Sequence, residues 1–118
     1  MDEKPSYFPP APLGEVMRGM TLGVVEDANG TPLANGTYVN GFGGWQTYHV
    51  ATPDALMPLK VHPAIPLGCY RTVLDVQGLT AYQGLVQIGQ PRPGETLVVT
   101  AAAGSIGSLV GQIGRKLG

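Results

Sequence analysis

Glu95-Thr96-Leu97-Val98-Val99-Thr100-Ala101-Ala102-Ala103-Gly104-Ser105-Ile106-Gly107-Ser108-Leu109-Val110-Gly111-Gln112-Ile113 changes character twice in a short span. Glu95 to Thr100 is a compact apolar run of strand type, and Ala101 to Gly107 is a turn of alanine and glycine. From Ser108 onward apolar residues recur helically, with Ile106, Leu109, Val110, Ile113 and Leu117 sharing one face. Strand, small-residue turn and helix form the first half of a βαβ unit, which needs about 30 or more residues to complete. The segment from Glu95 to Gly118 falls short of that, so the expectation is a sheet-and-helix fold that opens here without closing.

Within the turn, Ala102-Ala103-Gly104-Ser105-Ile106-Gly107 follows the dinucleotide-binding fingerprint. Ala102 replaces the first glycine, while Gly104 and Gly107 stand at the spacing of the second and third. The chemistry is that of the backbone. Gly104 lets the main chain approach a pyrophosphate, Gly107 lets the helix pack close to the strand, and the first helical N–H groups face the anion. Tight α/β packing favours the same small residues, so the turn alone leaves both readings open; the strand before and helix after supply the context the fingerprint requires. The side chain that separates NAD from NADP usually lies about 20 residues beyond the motif, past Gly118, so the residues present exclude neither.

Upstream, Leu79 to Ile88 carries apolar residues near helical spacing and predicts a helix against the core. A shorter helical stretch is expected from Leu67 to Leu74. Pro53, Pro58, Pro63 and Pro66 punctuate a crossing connection before it. Strands are expected at Leu22–Glu26, Thr37–Asn40 and Thr47–Val50, the first two separated by the turn dipeptides Asn29-Gly30 and Asn35-Gly36. Met1 to Pro12, polar and proline-rich, suits a surface loop.

The 118 residues are 43% hydrophobic and 13% charged, with 18 Gly and 11 Pro in no repeating period, which suits a globular chain with many tight turns. A formal net charge of −1, thinly spread, leaves no basic stripe for nucleic acid or a membrane surface. Cys69 stands alone, no leader opens the chain, and no apolar run approaches the roughly 20 residues of a membrane span. The expected location is the cytoplasm. Cys69, His49 and His62 are too few and too scattered to ligate zinc, so no metal site is assigned and both histidines read as ordinary surface or strand residues.

Leu13-Gly14-Glu15-Val16-Met17-Arg18-Gly19, Gly44-Trp45-Gln46, Gly78-Leu79-Thr80-Ala81-Tyr82, and the run from Pro93-Gly94-Glu95-Thr96 through Gly111-Gln112-Ile113 stand in one order along the chain. Together they resemble the medium-chain dehydrogenase/reductases, in particular the zinc-independent, NADPH-dependent alkenal, prostaglandin and curcumin reductases. The resemblance implies an α/β fold with a β-rich part: an incomplete GroES-like substrate domain over residues 1–78, then an interdomain helix and the start of a Rossmann domain over 79–118. It further implies a piece lacking both ends, inactive by itself, whose parent is a homodimer. The implied reaction is hydride transfer from NADPH to the C=C bond of an α,β-unsaturated aldehyde or ketone. A non-catalytic dinucleotide-binding protein, or a quinone reductase of the zeta-crystallin type, is the alternative.

The resemblance distributes roles unevenly. Ala102, Ala103, Gly104, Ser105, Ile106 and Gly107 bind the cofactor, and the backbone at Val76 lies beside the nicotinamide. Phe42 and Trp45 belong to a loop that relatives place at the substrate mouth; core anchoring is the competing role, favoured for Trp45. Arg18 steadies a ligand oxygen or makes a structural salt bridge or cap, and Tyr82 reads as a core helix residue. Where the family is small and apolar before Gly78, this chain has Leu74-Asp75-Val76-Gln77, with Asp75 expected to point to solvent. No catalytic side chain is assigned.

Overall fold

The computed structural model describes residues 8–118, which divide into two compact units, one ending at Val61 and the other running from His62 to Gly118. The first is built on a three-stranded antiparallel sheet of order β1-β2-β3, with β1 at Thr21–Val24, β2 at Tyr38–Gly41 and β3 at Met57–Leu59. Thr21 pairs with Gly41 and Val24 with Tyr38; on the other side of β2, Tyr38 pairs with Leu59 and Asn40 with Met57. Between β1 and β2, Asn29 and Gly30 both take positive φ (44° and 73°), and the Thr31 N–H closes the turn on the Ala28 carbonyl at 2.9 Å. Positive φ at both central positions matches the twist of the flanking strands, which is why this dipeptide reads so strongly as a turn.

Of the three strands expected in this unit, two form, within a few residues of their expected ends. The third does not: Thr47–Val50 lies outside any strand, with Val50 and Tyr48 exposed, and the sheet takes Met57–Leu59 instead. That segment was expected to be part of a crossing connection because of Pro58. Proline lacks a donor but is tolerated on an edge strand, and β3 is an edge.

In the second unit a short 3-10 turn, Leu67–Arg71, ends at Thr72, whose φ of −131° and ψ of −92° stop the coil before Leu74. Helix α1 then runs from Val76 to Tyr82, starting three positions ahead of the expected Leu79 because Asp75 caps it. It continues as a wider π-type turn, Gln83–Gly89, which ends with the Gln90 N–H on the Leu85 carbonyl at 2.8 Å. Helix α2 spans Ser105–Leu117 and packs on α1. Gly114 leaves the space that the Leu97 and Leu85 side chains fill.

Glu95–Thr100 does not form the expected strand, because no second strand runs beside it to complete a ladder among the described residues. The buried apolar residues among them are Val39 in the first unit and Ala81 and Leu85 in the second. No helix among them is long and apolar enough to cross a membrane.

Candidate functional site

The turn from Ala101 to Gly107 is organised by one carbonyl. Ala101 takes a left-handed φ of 50°, and its oxygen accepts the Gly104 N–H at 2.9 Å. A Cβ built on Gly107 would stand 2.5 Å from that oxygen, so residue 107 has no room for a side chain; one on Gly104 would stand 3.2 Å away. Gly104 is the N-cap of α2, with extended backbone and no side-chain cap. The first helical bond runs from the Ser108 N–H to the Gly104 carbonyl at 2.9 Å. The amides of Ser105, Ile106 and Gly107 precede that bond and have no acceptor within the helix.

No acidic residue lies in the first turn of α2, and residues 102–106 are exposed. Donors without partners at a helix N-terminus carry partial positive charge and suit a phosphate. The glycine cradle and the bare amides therefore fit a dinucleotide pyrophosphate. They are the residues that the sequence singled out, and the fold brings all six together.

Val76, the other cofactor candidate, is the first residue of α1 and is exposed. Its N–H donates to Asp75 Oδ1 at 2.8 Å, and Asp75 Oδ2 pairs with Arg71. Asp75 does not point to solvent as expected, since its side chain is only 15% exposed. Both of its oxygens are engaged, one by the helix it caps and one by the guanidinium a turn earlier. Beside it, Gln77 Oε1 is buried with no hydrogen-bond partner.

The α1 and α2 faces border an open apolar groove of about 880 Å³, lined by Val73, Leu74, Leu79, Tyr82, Leu109 and Ile113 among others. Tyr82 stands on this groove, 46% exposed, rather than in a core. The Gly78 backbone presses so close to Val73 that a Cβ there would overlap the Val73 carbonyl oxygen, 1.8 Å away.

In the first unit, Phe42 and Trp45 flank buried Gly43 and Gly44. The Gly44 N–H donates to the Gly19 carbonyl at 3.0 Å and the Trp45 N–H to the Met17 carbonyl at 2.9 Å, so the loop is zipped to the segment before β1. The glycines make that approach possible, because a Cβ on Gly43 would meet Thr21 Oγ1 at 2.6 Å and one on Gly44 would meet Val16 at 2.7 Å. The aromatics themselves stay outside: Phe42 is 73% exposed and Trp45 79%. Trp45 is not the buried anchor that was favoured. Its indole lies across Gly19, 3.1 Å from where a Cβ would stand. Among the described residues Arg18 has no acidic partner and caps no helix; it donates to the carbonyls of Pro9 and Pro10 at 2.6 and 2.7 Å.

Sequence reasoning passed over three of these residues. Thr21 Oγ1 accepts the Gly43 N–H at 3.2 Å, Gly19 forms the floor under Trp45, and Arg71 holds Asp75. Only Arg71 left a local signal, its spacing four residues before an aspartate. His62 Nδ1 accepts the Ala64 N–H at 3.1 Å, and His49 is exposed. Among the described residues no three His, Cys, Asp or Glu side chains gather as a metal site would need.

Residues 1–59 match the family described as the N-terminal domain of oxidoreductase. The whole chain is 46% identical to the NADPH-dependent curcumin reductase of Escherichia coli, covering 34% of that protein. Over 96% of its length it is 34% identical to the NADP(+)-dependent 2-alkenal reductase of Nicotiana tabacum, covering 33% of that protein. The crystal structure of CurA from Vibrio vulnificus in complex with NADPH superposes with a TM-score of 0.79 at 40% identity, over 99% of this chain and 34% of that one. The chain thus spans about a third of the length of the curated relatives it matches. With half of its residues matched by that family model, this chain belongs to the oxidoreductase family of the medium-chain dehydrogenase/reductases, and over most of its length it is similar to curcumin, alkenal and prostaglandin reductases.

Proposed function

We propose that this chain carries the substrate-side residues and the pyrophosphate turn of an NADPH-dependent reductase acting on the C=C bond of α,β-unsaturated aldehydes or ketones. The observation that carries the reading is the turn at Ala101–Gly107: a side-chain-free cradle at Gly107 opening onto three unpartnered amides at the start of α2. NADPH, when bound, supplies the hydride. This chain's part is to hold and orient. The amides of Ser105, Ile106 and Gly107 take the pyrophosphate, and the first turn of α1 at Val76 faces the nicotinamide half. Phe42 and Trp45 offer apolar surface to an enal or enone. The carbon that accepts hydride is β to the carbonyl, the π electrons move onto the carbonyl oxygen, and a proton then completes the α-carbon. No side chain of this chain is assigned that proton.

The choice of NADPH over NADH leans on the relatives, whose printed names specify NADPH or NADP. The family resemblance implies that the complete reductase is a cytoplasmic homodimer, and the relatives' names point to a small-molecule substrate. The test is NADPH oxidation with an alkenal, run on the 118-residue chain and on a version extended to the relatives' full length. Turnover in the extended protein alone is expected. NADPH binding without turnover there would replace the enzyme by a dinucleotide-binding protein, and turnover by the short chain would show that these residues suffice.

A further inference from the structure

We propose that Arg71 and Asp75 form a positioning pair that sets the α1 first turn for the nicotinamide half of the cofactor; the inference rests on the function proposed above. The family resemblance leads one to expect small apolar residues before Gly78, yet this chain places a carboxylate there and a guanidinium one turn earlier. Neither is an idle surface charge. The Arg71 and Asp75 side chains are 21% and 15% exposed, and they meet each other directly. A charge-assisted bond in such partial burial is stronger and more directional than one in water.

The pair sits at a corner that other bonds also hold. The Leu74 N–H donates to the Cys69 carbonyl at 2.9 Å, and the N–H groups of Asp75 and Gly78 both donate to the Thr72 carbonyl at 3.2 Å. These bonds fix the backbone path from the 3-10 turn into α1. They leave the Val76 N–H to Asp75 Oδ1 alone, and Asp75 is itself oriented by Arg71. Arg71 therefore acts on the Val76 backbone through one carboxylate, without approaching the ligand.

A pair that merely staples the 3-10 turn to the helix would affect the whole fold. A positioning pair affects one half of one ligand. In the full-length extended protein, Asp75→Asn keeps an acceptor for the Val76 N–H and removes the charge, while Arg71→Met keeps the aliphatic stem. Each is expected to raise the Kd for NADPH about tenfold, read by cofactor fluorescence. Affinity for adenosine 2′,5′-bisphosphate, which lacks the nicotinamide, should stay at the parent value. The double variant should be no worse than either single one, because the two groups act as a unit, and Arg71→Lys should recover part of the loss.

Equal weakening of both ligands, or of neither, would overturn the proposal and leave the pair structural. If the unsubstituted extended protein binds no NADPH, the functional reading itself falls, and the positioning role with it.

Discussion

At the residue scale, the candidate site depends on places where a side chain is missing. Gly78 and Gly107 each face a backbone carbonyl at a distance that no Cβ tolerates, 1.8 Å from Val73 O and 2.5 Å from Ala101 O. Neither oxygen is the end of a flexible side chain, so alanine at either position must displace main chain. Gly78→Ala and Gly107→Ala are both expected at or above the upper end of the roughly 1–3 kcal/mol that overpacking costs, read as a lower urea midpoint. Gly107→Ala should in addition weaken NADPH binding in the extended protein. Wild-type midpoints for both would show that the carbonyls yield freely. Ala101 poses the opposite case, a residue with a Cβ held at φ 50°. Left-handed backbone costs a non-glycine residue roughly 1–2 kcal/mol, while glycine's extra chain entropy costs about 0.5–1. Ala101→Gly should therefore stabilise by at most about 1.5 kcal/mol, whereas Ala101→Val, branched at Cβ, should lose about 2, both read in thermal melts.

Legibility at this scale followed the kind of contact involved. Gly104 and Gly107 could be picked out because a fixed spacing marks the close approach that each makes to the Ala101 carbonyl, and backbone geometry needs only that spacing. Trp45 stays exposed against expectation, because composition and local pattern say that an indole prefers cover, not whether any is at hand. The motif around Arg18 leaves its role open, and its guanidinium donates to main-chain oxygens of Pro9 and Pro10, which no side-chain pattern advertises.

At the scale of elements, helices and turns followed their local signals, and strands did so only where a neighbour paired with them. Asn29-Gly30 turns, Asp75 starts α1, and the apolar face of α2 packs on α1, all from interactions within a few residues or across one contact. A strand is a property of two segments. Glu95–Thr100 has the composition of a buried parallel strand and no neighbour to pair with among the described residues, and Met57–Leu59 has a proline and does have a neighbour. Val98, 83% exposed, makes the difference measurable. In the 118-residue chain Val98→Lys should change stability by no more than about 0.5 kcal/mol and lower its tendency to aggregate. In the extended protein, if Glu95–Thr100 joins a covered parallel sheet, the same lysine should destabilise by several kcal/mol, because its charge would be buried without a partner. Equal tolerance in both would mean that the segment never becomes an interior strand.

At the scale of the whole molecule, the sequence conveyed the α/β character with its β-rich part, and the solved CurA structure shares it over nearly the full chain. The division at Val61 and His62 could not be read from the sequence, since it is set by which residues contact which after folding. It predicts where the native chain is cut. Trypsin requires an exposed lysine or arginine in a segment that can open locally. Arg18 is held to two prolyl carbonyls, Arg71 is paired with Asp75, and Arg92 precedes Pro93, where trypsin cleaves poorly. Lys60 is exposed, one residue past β3 and two before the second unit begins at His62. Brief digestion, apart from trimming at Arg115 and Lys116, should therefore release pieces ending at Lys60 and beginning at Val61, identified by mass. An early cut after Arg71 instead would show that the clasp at the start of α1 opens before the junction does, and would also remove the rigidity on which a positioning role for Asp75 depends.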